Sequence, residues 1–163
     1  MIILSIDSGV EKTGYSIFNK KSNTFKYIVS GLVKTNKQIK YEKRVGEIYK
    51  RLNDVVKKYK PNKIILEQLF FFKNQKTAIQ VGQTQGVIIL LAAQKGISLE
   101  FLTPLQIKQT VTGYGLSDKK SVRKMVELSV KLGKKIKEDD EIDAIACGLA
   151  YCYLTKFQET TNK

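Results

Sequence analysis

The sequence contains no histidine and few residues that break or cross-link a chain. Its 163 residues include 2 prolines and 2 cysteines, and it has no run of about 18 apolar residues that could span a bilayer. Hydrophobic residues make up 42% of the chain, which is typical of a folded domain. A chain of this length buries one core, so we predict a single domain over residues 1–157 and a frayed tail over residues 158–163.

The absence of histidine restricts the chemistry of any catalytic site. A metal site in this chain would have to be built from carboxylates, which argues against zinc and favours Mg²⁺ or Mn²⁺. The usual general base is also missing, and metal-bound water can replace it.

Cysteine is also scarce. Cys147 and Cys152 lie five positions apart in a predicted helix, too divergent for a disulfide, and we expect both to be core thiols. The N-terminus lacks the basic region and cleavage site of a secretion signal. We therefore expect a cytoplasmic protein that is not inserted in a membrane.

Negative charge is the scarce sign. The chain has 15 acidic residues against 29 lysines and arginines, a formal net charge of +14. This balance favours a polyanionic partner, and nucleic acid is the commonest one. An anionic membrane surface is an alternative partner, and lysine enrichment in an AT-rich or thermophilic genome is an alternative cause.

The first seven residues predict a central strand. Four of the six residues before Asp7 are Ile or Leu, a pattern typical of a strand covered on both faces. Asp7 ends this strand and Ser8-Gly9 follow as turn formers. Asp7 could cap the turn through a hydrogen bond to the backbone. It could also be a metal ligand, which requires partner carboxylates elsewhere.

The rest of the chain predicts an α/β fold with a five-stranded mixed sheet flanked by helices. Apolar alternation and turn residues predict strands over residues 13–20, 25–35, 63–68 and 97–102. Helical spacing predicts helices over residues 39–59, 77–94, 105–112, 119–132 and 138–157. Gly82 and Gly86 lie four apart in the second helix, where we interpret them as admitting a neighbouring backbone.

Five of the scarce acids fall within residues 138–143, at the start of the last predicted helix. Acids there complement the helix dipole and cap free N–H groups, which explains Glu138 and Asp139. The same reasoning explains Asp143 poorly, because Asp143 lies one turn inside the helix. Asp140 and Asp143 share a helix face, and two such carboxylates repel unless a cation lies between them.

Asp7, Glu67, Asp140 and Asp143 together form a four-carboxylate set. Glu67 ends the strand over residues 63–68 as Asp7 ends the first strand. If those strands are parallel neighbours, both acids emerge at one sheet edge. The set could hold two Mg²⁺ ions, one activating water and one stabilising the leaving oxygen of a phosphodiester.

Several motifs of the chain resemble those of the RuvC family, the bacterial Holliday junction resolvases with an RNase H-like fold. The matching motifs cover nearly the whole chain in the right order. They are Ile6-Asp7-Ser8-Gly9 with Thr13-Gly14-Tyr15, Leu66-Glu67-Gln68-Leu69-Phe70 with Lys73-Asn74, Gly82-Gln83 with Gly86-Val87, the segment from Gln106 to Gly115, and Asp140-Glu141-Ile142-Asp143-Ala144. Ser8 departs from the family, which commonly has Pro there, and a turn tolerates either.

The resemblance implies a structure-specific endonuclease that resolves four-way DNA junctions by symmetric, metal-dependent hydrolysis in recombination and repair. It implies that Asp7, Glu67, Asp140 and Asp143 bind two Mg²⁺ ions, with Mn²⁺ as a substitute. Lys108 and Lys119 match basic positions near the scissile phosphate. The implied partners are junction DNA, a second copy of the chain and the RuvA-RuvB branch-migration complex.

Aromatic and basic residues form the predicted DNA-binding set. Phe70 matches the family's base-stacking aromatic, and an exposed aromatic beside lysines is a stacking platform. Phe71 and Phe72 could instead belong to the core or to a dimer interface. The whole set is Phe70, Lys73, Lys76, Lys108, Lys119, Lys120, Arg123 and Lys124.

Three other functions compete with this interpretation. An ATP-binding protein of the actin, Hsp70 and sugar-kinase type uses a similar Asp-x-Gly hairpin, but it needs two such domains, which 163 residues cannot supply. A junction-binding protein without activity would not need all four carboxylates. A related nuclease could act on RNA or on simple duplex.

Overall fold

The structure is a computed structural model that describes residues 1–69 and 75–161, with the side chains of residue 76 and residues 156–161 outside the description. Within these ranges the chain forms one sheet and five helices. The strands are β1 (Ile2–Asp7), β2 (Lys12–Lys21), β3 (Thr24–Lys34), β4 (Lys63–Glu67) and β5 (Ser98–Leu102). The helices are α1 (Tyr41–Tyr59), α2 (Gln75–Gln94), α3 (Pro104–Thr112), α4 (Lys119–Ser129) and α5 (Asp139–Thr161). The predicted α/β class is confirmed.

The five strands form a mixed sheet of order β3-β2-β1-β4-β5. β1, β2 and β3 are joined as an antiparallel meander, and β1 pairs with β4 in parallel. Ile6 lies opposite Leu66 in that parallel pair, so the next residues, Asp7 and Glu67, leave the sheet at the same edge. The arrangement predicted for these two acids is therefore confirmed.

The central strand is buried on both faces, as predicted. Ile3 packs in a core with α3, α4 and α5, whereas Leu4 and Ile6 pack in a second core with α1 and α2. All three side chains are fully buried. Because successive residues of a strand face opposite ways, β1 anchors both layers of the fold.

Two buried serines join β1 and β2 to α5. The hydroxyls of Ser5 and Ser16 lie 2.6 Å apart. They are 2.8 and 3.1 Å from the carbonyl oxygen of Ala144, respectively. A Cβ on Gly148 would lie 2.5 Å from the Ser5 hydroxyl, so this glycine lets the helix approach the serines. A buried hydroxyl is costly unless it is hydrogen-bonded, so this contact fixes where α5 lies on the sheet.

The helix boundaries differ from prediction mainly at the last two helices. α4 ends at Ser129 rather than at residue 132, and α5 continues to Thr161 rather than ending at residue 157. The predicted frayed tail is therefore helical in part, because no proline or glycine interrupts the chain there. Cys147 and Cys152 are free and buried in the core, as predicted.

The prediction that Gly82 and Gly86 of α2 admit a neighbouring backbone is wrong within a single copy of the chain. A Cβ on Gly82 would contact only the side chain of Leu69, at 3.6 Å, and one on Gly86 would meet nothing within 4 Å. No backbone among the described residues approaches them. Across the described ranges, none of the helices combines the length and the hydropathy needed to cross a bilayer.

Candidate active site

Two of the four predicted carboxylates lie where β1 and β4 end. Asp7 pairs with Gly14 across the β1–β2 ladder, and Glu67 is the last residue of β4. α2 fixes the end of β4, because the side-chain amide of Gln85 donates to the backbone carbonyl of Glu67 at 2.8 Å. Both acids are partly buried.

The other two carboxylates are brought to this edge by α5. A Cβ on Gly14 would overlap the carbonyl oxygen of Asp140, so only glycine lets the first turn of α5 lie against β2 at this point. Because Gly14 is also the partner of Asp7, this contact brings Asp140 beside the end of β1.

Three of the five clustered acids are engaged by other parts of the protein. Glu138 forms ion pairs with Lys12 and Lys34 at 2.7 and 2.5 Å. Asp139 accepts a hydrogen bond from Arg123 at 2.8 Å.

Glu141 is the third engaged acid. Its carboxylate is buried and bonds the Ser30 hydroxyl at 2.5 Å and Lys134 at 2.8 Å. These contacts hold the first turn of α5 against β3 and against the segment that precedes α5.

Asp140 and Asp143 remain available for the site. Asp143 contacts Lys119 at 3.2 Å, and that lysine is largely exposed. Among the described residues, the Asp140 carboxylate has neither a hydrogen bond nor an ion pair. The helix-face argument made from the sequence therefore selects the two acids that the fold leaves available.

The prediction that Asp139 caps the last helix is wrong. α5 begins at Asp139, so this residue lies in the first turn, and its carboxylate pairs with Arg123 on α4. Arg123 also donates to the carbonyl of Ile136 at 2.9 Å. Its guanidinium links α4 to the segment before α5, which explains Arg123 better as a structural residue than as a DNA contact.

Negative charges converge at the sheet edge without full compensation. Burial raises the pKa of Asp7 well above its ordinary value, and Asp143, Glu67 and Asp140 raise it further, whereas Lys119 lowers it. Burial and then Asp143 raise the pKa of Glu67 to about 6, against the opposing effect of Lys119 and Lys108. Burial also raises the pKa of Asp143, and Lys119 again opposes the shift.

This electrostatic pattern suits a hard divalent cation. Every donor is a carboxylate oxygen, the ligand type that Mg²⁺ and Mn²⁺ prefer. A cation among these groups would remove the repulsion that raises their pKa values. Within the described ranges, no three carboxylate or thiol side chains lie close enough to hold an ion as they stand. The set is a convergence of charge rather than a formed coordination sphere.

The predicted catalytic lysines border the same site. A concavity of about 260 Å³ is lined by acids and lysines together with the apolar residues of α3, α4 and α5. Its lining comprises Glu67, Pro104, Ile107, Lys108, Lys119, Val122, Asp143 and Ala146. Asp140 lines a separate concavity of about 610 Å³, whose basic members are Lys12, Lys37 and Arg44. Of these, Lys12 is paired with Glu138 and Lys37 with Glu11, which lines the same concavity.

The remaining predicted DNA contacts divide into two groups. Lys120 and Lys124 are exposed on α4. Phe70 and Lys73, with the side chain of Lys76, lie outside the described part of the chain. Their predicted roles stay predictions.

Sequence reasoning missed the residues that hold the acidic cluster in place. Lys12, Lys34 and Ser30 come from β2 and β3, more than a hundred positions before the acids that they contact. Only Gly14 carries a sequence signal, since glycine within a strand often marks a close backbone approach.

The sheet order, the parallel β1–β4 pair and acids at the edge of the sheet together define a protein of the RNase H-like class. A family model described as "Crossover junction endodeoxyribonuclease RuvC" matches residues 3–152. The chain belongs to this family.

Individual relatives agree with that assignment. The chain is 40% identical over 157 residues to the crossover junction endodeoxyribonuclease RuvC of Thermosipho melanesiensis, covering 96% of this chain and 100% of the relative. It is 41% identical over 160 residues to that of Clostridioides difficile, covering 98% of this chain and 95% of the relative. It also resembles the structure of "T. thermophilus RuvC in complex with Holliday junction substrate", with a TM-score of 0.87 and 26% identity over 98% of this chain and 97% of that one.

Proposed function

We propose that this protein resolves four-way DNA junctions by metal-dependent hydrolysis of one phosphodiester on each of two opposed strands, during recombination and repair. The observation that carries the proposal is the convergence of Asp7, Glu67, Asp140 and Asp143 at one edge of the sheet. Membership of the RuvC family supports it. The similar T. thermophilus protein was captured with a Holliday junction substrate, and we extend that substrate to this chain.

The four carboxylates would hold two Mg²⁺ ions, and Mn²⁺ would substitute. Bound Mg²⁺ supplies Lewis-acid stabilisation of the phosphate and lowers the pKa of its bound water. Asp7 and Glu67 are the fixed part of the donor set, because both end paired strands. The positions of Asp140 and Asp143 depend on how α5 packs against the sheet, because both residues belong to its first turns.

Lys119 and Lys108 would act on the substrate rather than on the metal. Both lower the pKa of Glu67 and both line the concavity that contains Glu67 and Asp143. Lys119 is exposed and can leave Asp143 for a phosphate oxygen, since an exposed ion pair contributes only about 0–1 kcal/mol. We assign both lysines to the charge that develops on the scissile phosphate.

The protein would act as a symmetric homodimer. Two matched nicks on opposed strands require two active sites. α2 presents Ile79, Ile89 and Leu90 to solvent, at 58%, 44% and 52% exposure. The exposed Gly86 lies on the same helix with open space where a Cβ would be. A second copy packed there would supply the close neighbour that this chain alone lacks. A cytoplasmic location and a partnership with the RuvA-RuvB complex complete the proposal.

A synthetic mobile four-way junction tests the function. With Mg²⁺, the wild type should cut opposed strands symmetrically and yield nicked duplexes that DNA ligase can seal. Equal cutting of linear duplex or of an RNA–DNA hybrid would instead indicate a less specific nuclease of the same fold.

Variants of the acids separate binding from cleavage. Asp7→Asn should lose nearly all cleavage and keep junction binding in a gel shift, because basic residues supply the affinity. Asp54→Asn is the matched control, since Asp54 is an exposed acid on α1, across the sheet from α5. If Asp7→Asn keeps cutting, or if it loses binding, the metal-ligand assignment is wrong.

A further inference from the structure

Three exposed apolar side chains lie together beside the active site. Leu105, Tyr114 and Leu116 are 58%, 60% and 70% exposed. Leu105 belongs to the first turn of α3, and the other two belong to the segment between α3 and α4. We call these three side chains the apolar ridge.

Leu105 joins the other two residues of the ridge because it lies over Gly115. A Cβ on Gly115 would be 3.0 Å from Cγ of Leu105 and 3.2 Å from its Cδ1. Gly115 is buried by this contact and stands between Tyr114 and Leu116 in the chain. The side chain of Leu105 therefore packs on the backbone that joins the two loop residues.

The loop that carries the ridge is rigidly held. The Tyr114 N–H donates to the Thr112 hydroxyl at 3.2 Å, and the Ser117 hydroxyl donates to the Tyr114 carbonyl at 2.8 Å. The Gly115 N–H donates to the side-chain carbonyl of Gln109 at 2.9 Å. These bonds use the backbone of Tyr114 and not its ring, so the ring is held in solvent by a loop that does not depend on it.

The helix α3, which carries Leu105, also lines the concavity that contains Glu67 and Asp143. α3 supplies Pro104, Ile107 and Lys108 to the lining of that concavity, and Leu105 lies between them in the sequence. The loop then leads directly into Lys119 at the start of α4. A strand whose phosphate occupied the site would therefore have its neighbouring nucleotides within reach of the ridge.

We propose that the apolar ridge contacts the sugars and bases of the DNA strand next to the scissile phosphate, with Tyr114 stacking on a base that the crossover leaves unpaired. The inference rests on the proposed function and adds a contact surface to the same site. Aromatic side chains beside basic residues stack on unpaired bases, and apolar side chains insert between weakened base steps.

The charge around the ridge favours DNA over a protein partner. Lys108 follows Leu105 by three positions on α3, and Lys119 and Lys120 follow Leu116 by three and four positions. Lysine is depleted in protein–protein interfaces. Three side chains also fall well short of the roughly 800 Å² that each partner buries in a stable protein complex. A nucleic acid strand uses small apolar contacts of this kind together with flanking positive charge.

The test measures binding and stacking separately. A junction carrying 2-aminopurine at the crossover nucleotides reports stacking by fluorescence quenching, and anisotropy without divalent metal reports affinity. Tyr114→Ala should weaken junction binding or slow cleavage about five- to hundred-fold and reduce the quenching below that of the wild type. Tyr114→Phe should keep both near wild type, because the ring remains. Leu116→Ala should weaken binding without changing its salt dependence, because no charge is lost.

Leu128→Ala is the matched control. Leu128 is 72% exposed on α4 and lines a different concavity with Val130 and Ile136, so its loss should change none of these readings. A wild type that neither binds nor cuts junctions would refute the proposed function. If the wild type cuts junctions normally and Tyr114→Ala and Leu116→Ala bind, quench and cut as the wild type does, the DNA contact of the apolar ridge is refuted and the proposed function stands. A change in oligomeric state of these variants with unaltered DNA binding would assign the ridge to a protein interface and also overturn the inference.

Discussion

The acids that open α5 differ in what neutralises each of them. Glu138, Asp139 and Glu141 pair with basic residues on β2, β3, α4 and the segment before α5. Asp140 has no such partner among the described residues, and Asp143 has one exposed lysine. Neighbouring residues of one acidic cluster therefore have opposite tasks. Three hold the helix, and two face the site.

This division predicts that adjacent aspartates respond differently to substitution. Asp139→Ala should cost about 0.2–1 kcal/mol of stability, because it removes an exposed pair with Arg123. Its cleavage rate should stay within a few-fold of wild type. Asp140→Ala should keep the fold and lose most activity. Urea unfolding and cleavage rates under saturating Mg²⁺ measure both effects. An inactive Asp139→Ala beside an active Asp140→Ala would show that the assignment is off by one residue.

A second prediction concerns pH. The pKa of Glu67 is raised from its ordinary 4.5 to about 6, so this acid is protonated below that pH and cannot bind metal well. The raised pKa values of Asp7 and Asp143 act in the same direction. Cleavage should therefore fall as the pH is lowered through about 6. Higher Mg²⁺ should move the fall to lower pH, because metal and protons compete for the same oxygens.

The stability of the protein should depend on pH in the opposite direction to its cleavage activity. Between pH 4.5 and about 6, native Glu67 retains a proton that the unfolded chain has released. The metal-free protein should therefore lose stability as the pH rises through this window. Melting temperatures without and with Mg²⁺ measure it, and Mg²⁺ should restore the loss above pH 6. Glu67→Gln should weaken the dependence, and an unchanged pH profile in that variant would contradict the assignment.

Single residues also show how far sequence reasoning reaches. Asp7 and Glu67 are predictable, because an acid after a short apolar strand has a position fixed by strand direction alone. Asp140 and Asp143 are predictable from their shared helix face. The partners of Glu138 and Glu141 are not, because they depend on how α5 lies across β2 and β3, which no local pattern encodes. The ion pair of Arg123 with Asp139 is unpredictable for the same reason, since the positive charge of Arg123 is indistinguishable in sequence from that of Lys124.

At the scale of elements, the site depends on the contact between β2 and α5. Gly14 lets the first turn of the helix approach the strand. One turn further along, the hydroxyls of Ser5 and Ser16 donate hydrogen bonds to the carbonyl oxygen of Ala144. The sequence predicts both strands and the helix, and their order along the chain. The contacts between these elements are tertiary, and no periodic pattern in the sequence indicates that Ser5 and Ser16 are buried against α5.

This contact predicts a sharp difference between two glycines. Gly14→Ala forces a methyl group into the Asp140 carbonyl, so α5 must shift. We expect the free energy of unfolding to fall by about 1–3 kcal/mol. Most metal binding and cleavage should also be lost. A Cβ on Gly46 in α1 would meet nothing within 4 Å, so Gly46→Ala should raise the free energy of unfolding by about 0.5–1 kcal/mol. Mn²⁺ binding by calorimetry, beside thermal unfolding, measures both. Normal Mn²⁺ affinity in Gly14→Ala would show that this contact does not set the site.

At the scale of the whole molecule, the acidic edge of the sheet and the exposed apolar face of α2 lie apart. The net charge is +14, yet Asp7, Glu67, Asp140 and Asp143 meet at one edge. Lysines on α3 and α4 lie beside that edge, whereas the exposed apolar side chains of α2 lie on another layer of the fold. DNA and a second copy of the chain could therefore bind at once without competing for the same surface.

That separation predicts that the dimer can be disrupted without disturbing the site. Leu90→Asp places a charge in the exposed apolar face of α2, and burial of that charge against a second copy would be costly. The variant should be monomeric at micromolar concentration in light scattering, with unchanged circular dichroism. It should nick one strand of a junction and no longer make two coordinated nicks in a supercoiled cruciform plasmid. Leu128→Asp, with a similarly exposed leucine on α4, should remain dimeric and cut both strands. A wild type that is monomeric and still makes paired nicks would refute the dimer, because one site cannot reach two opposed strands in a single encounter.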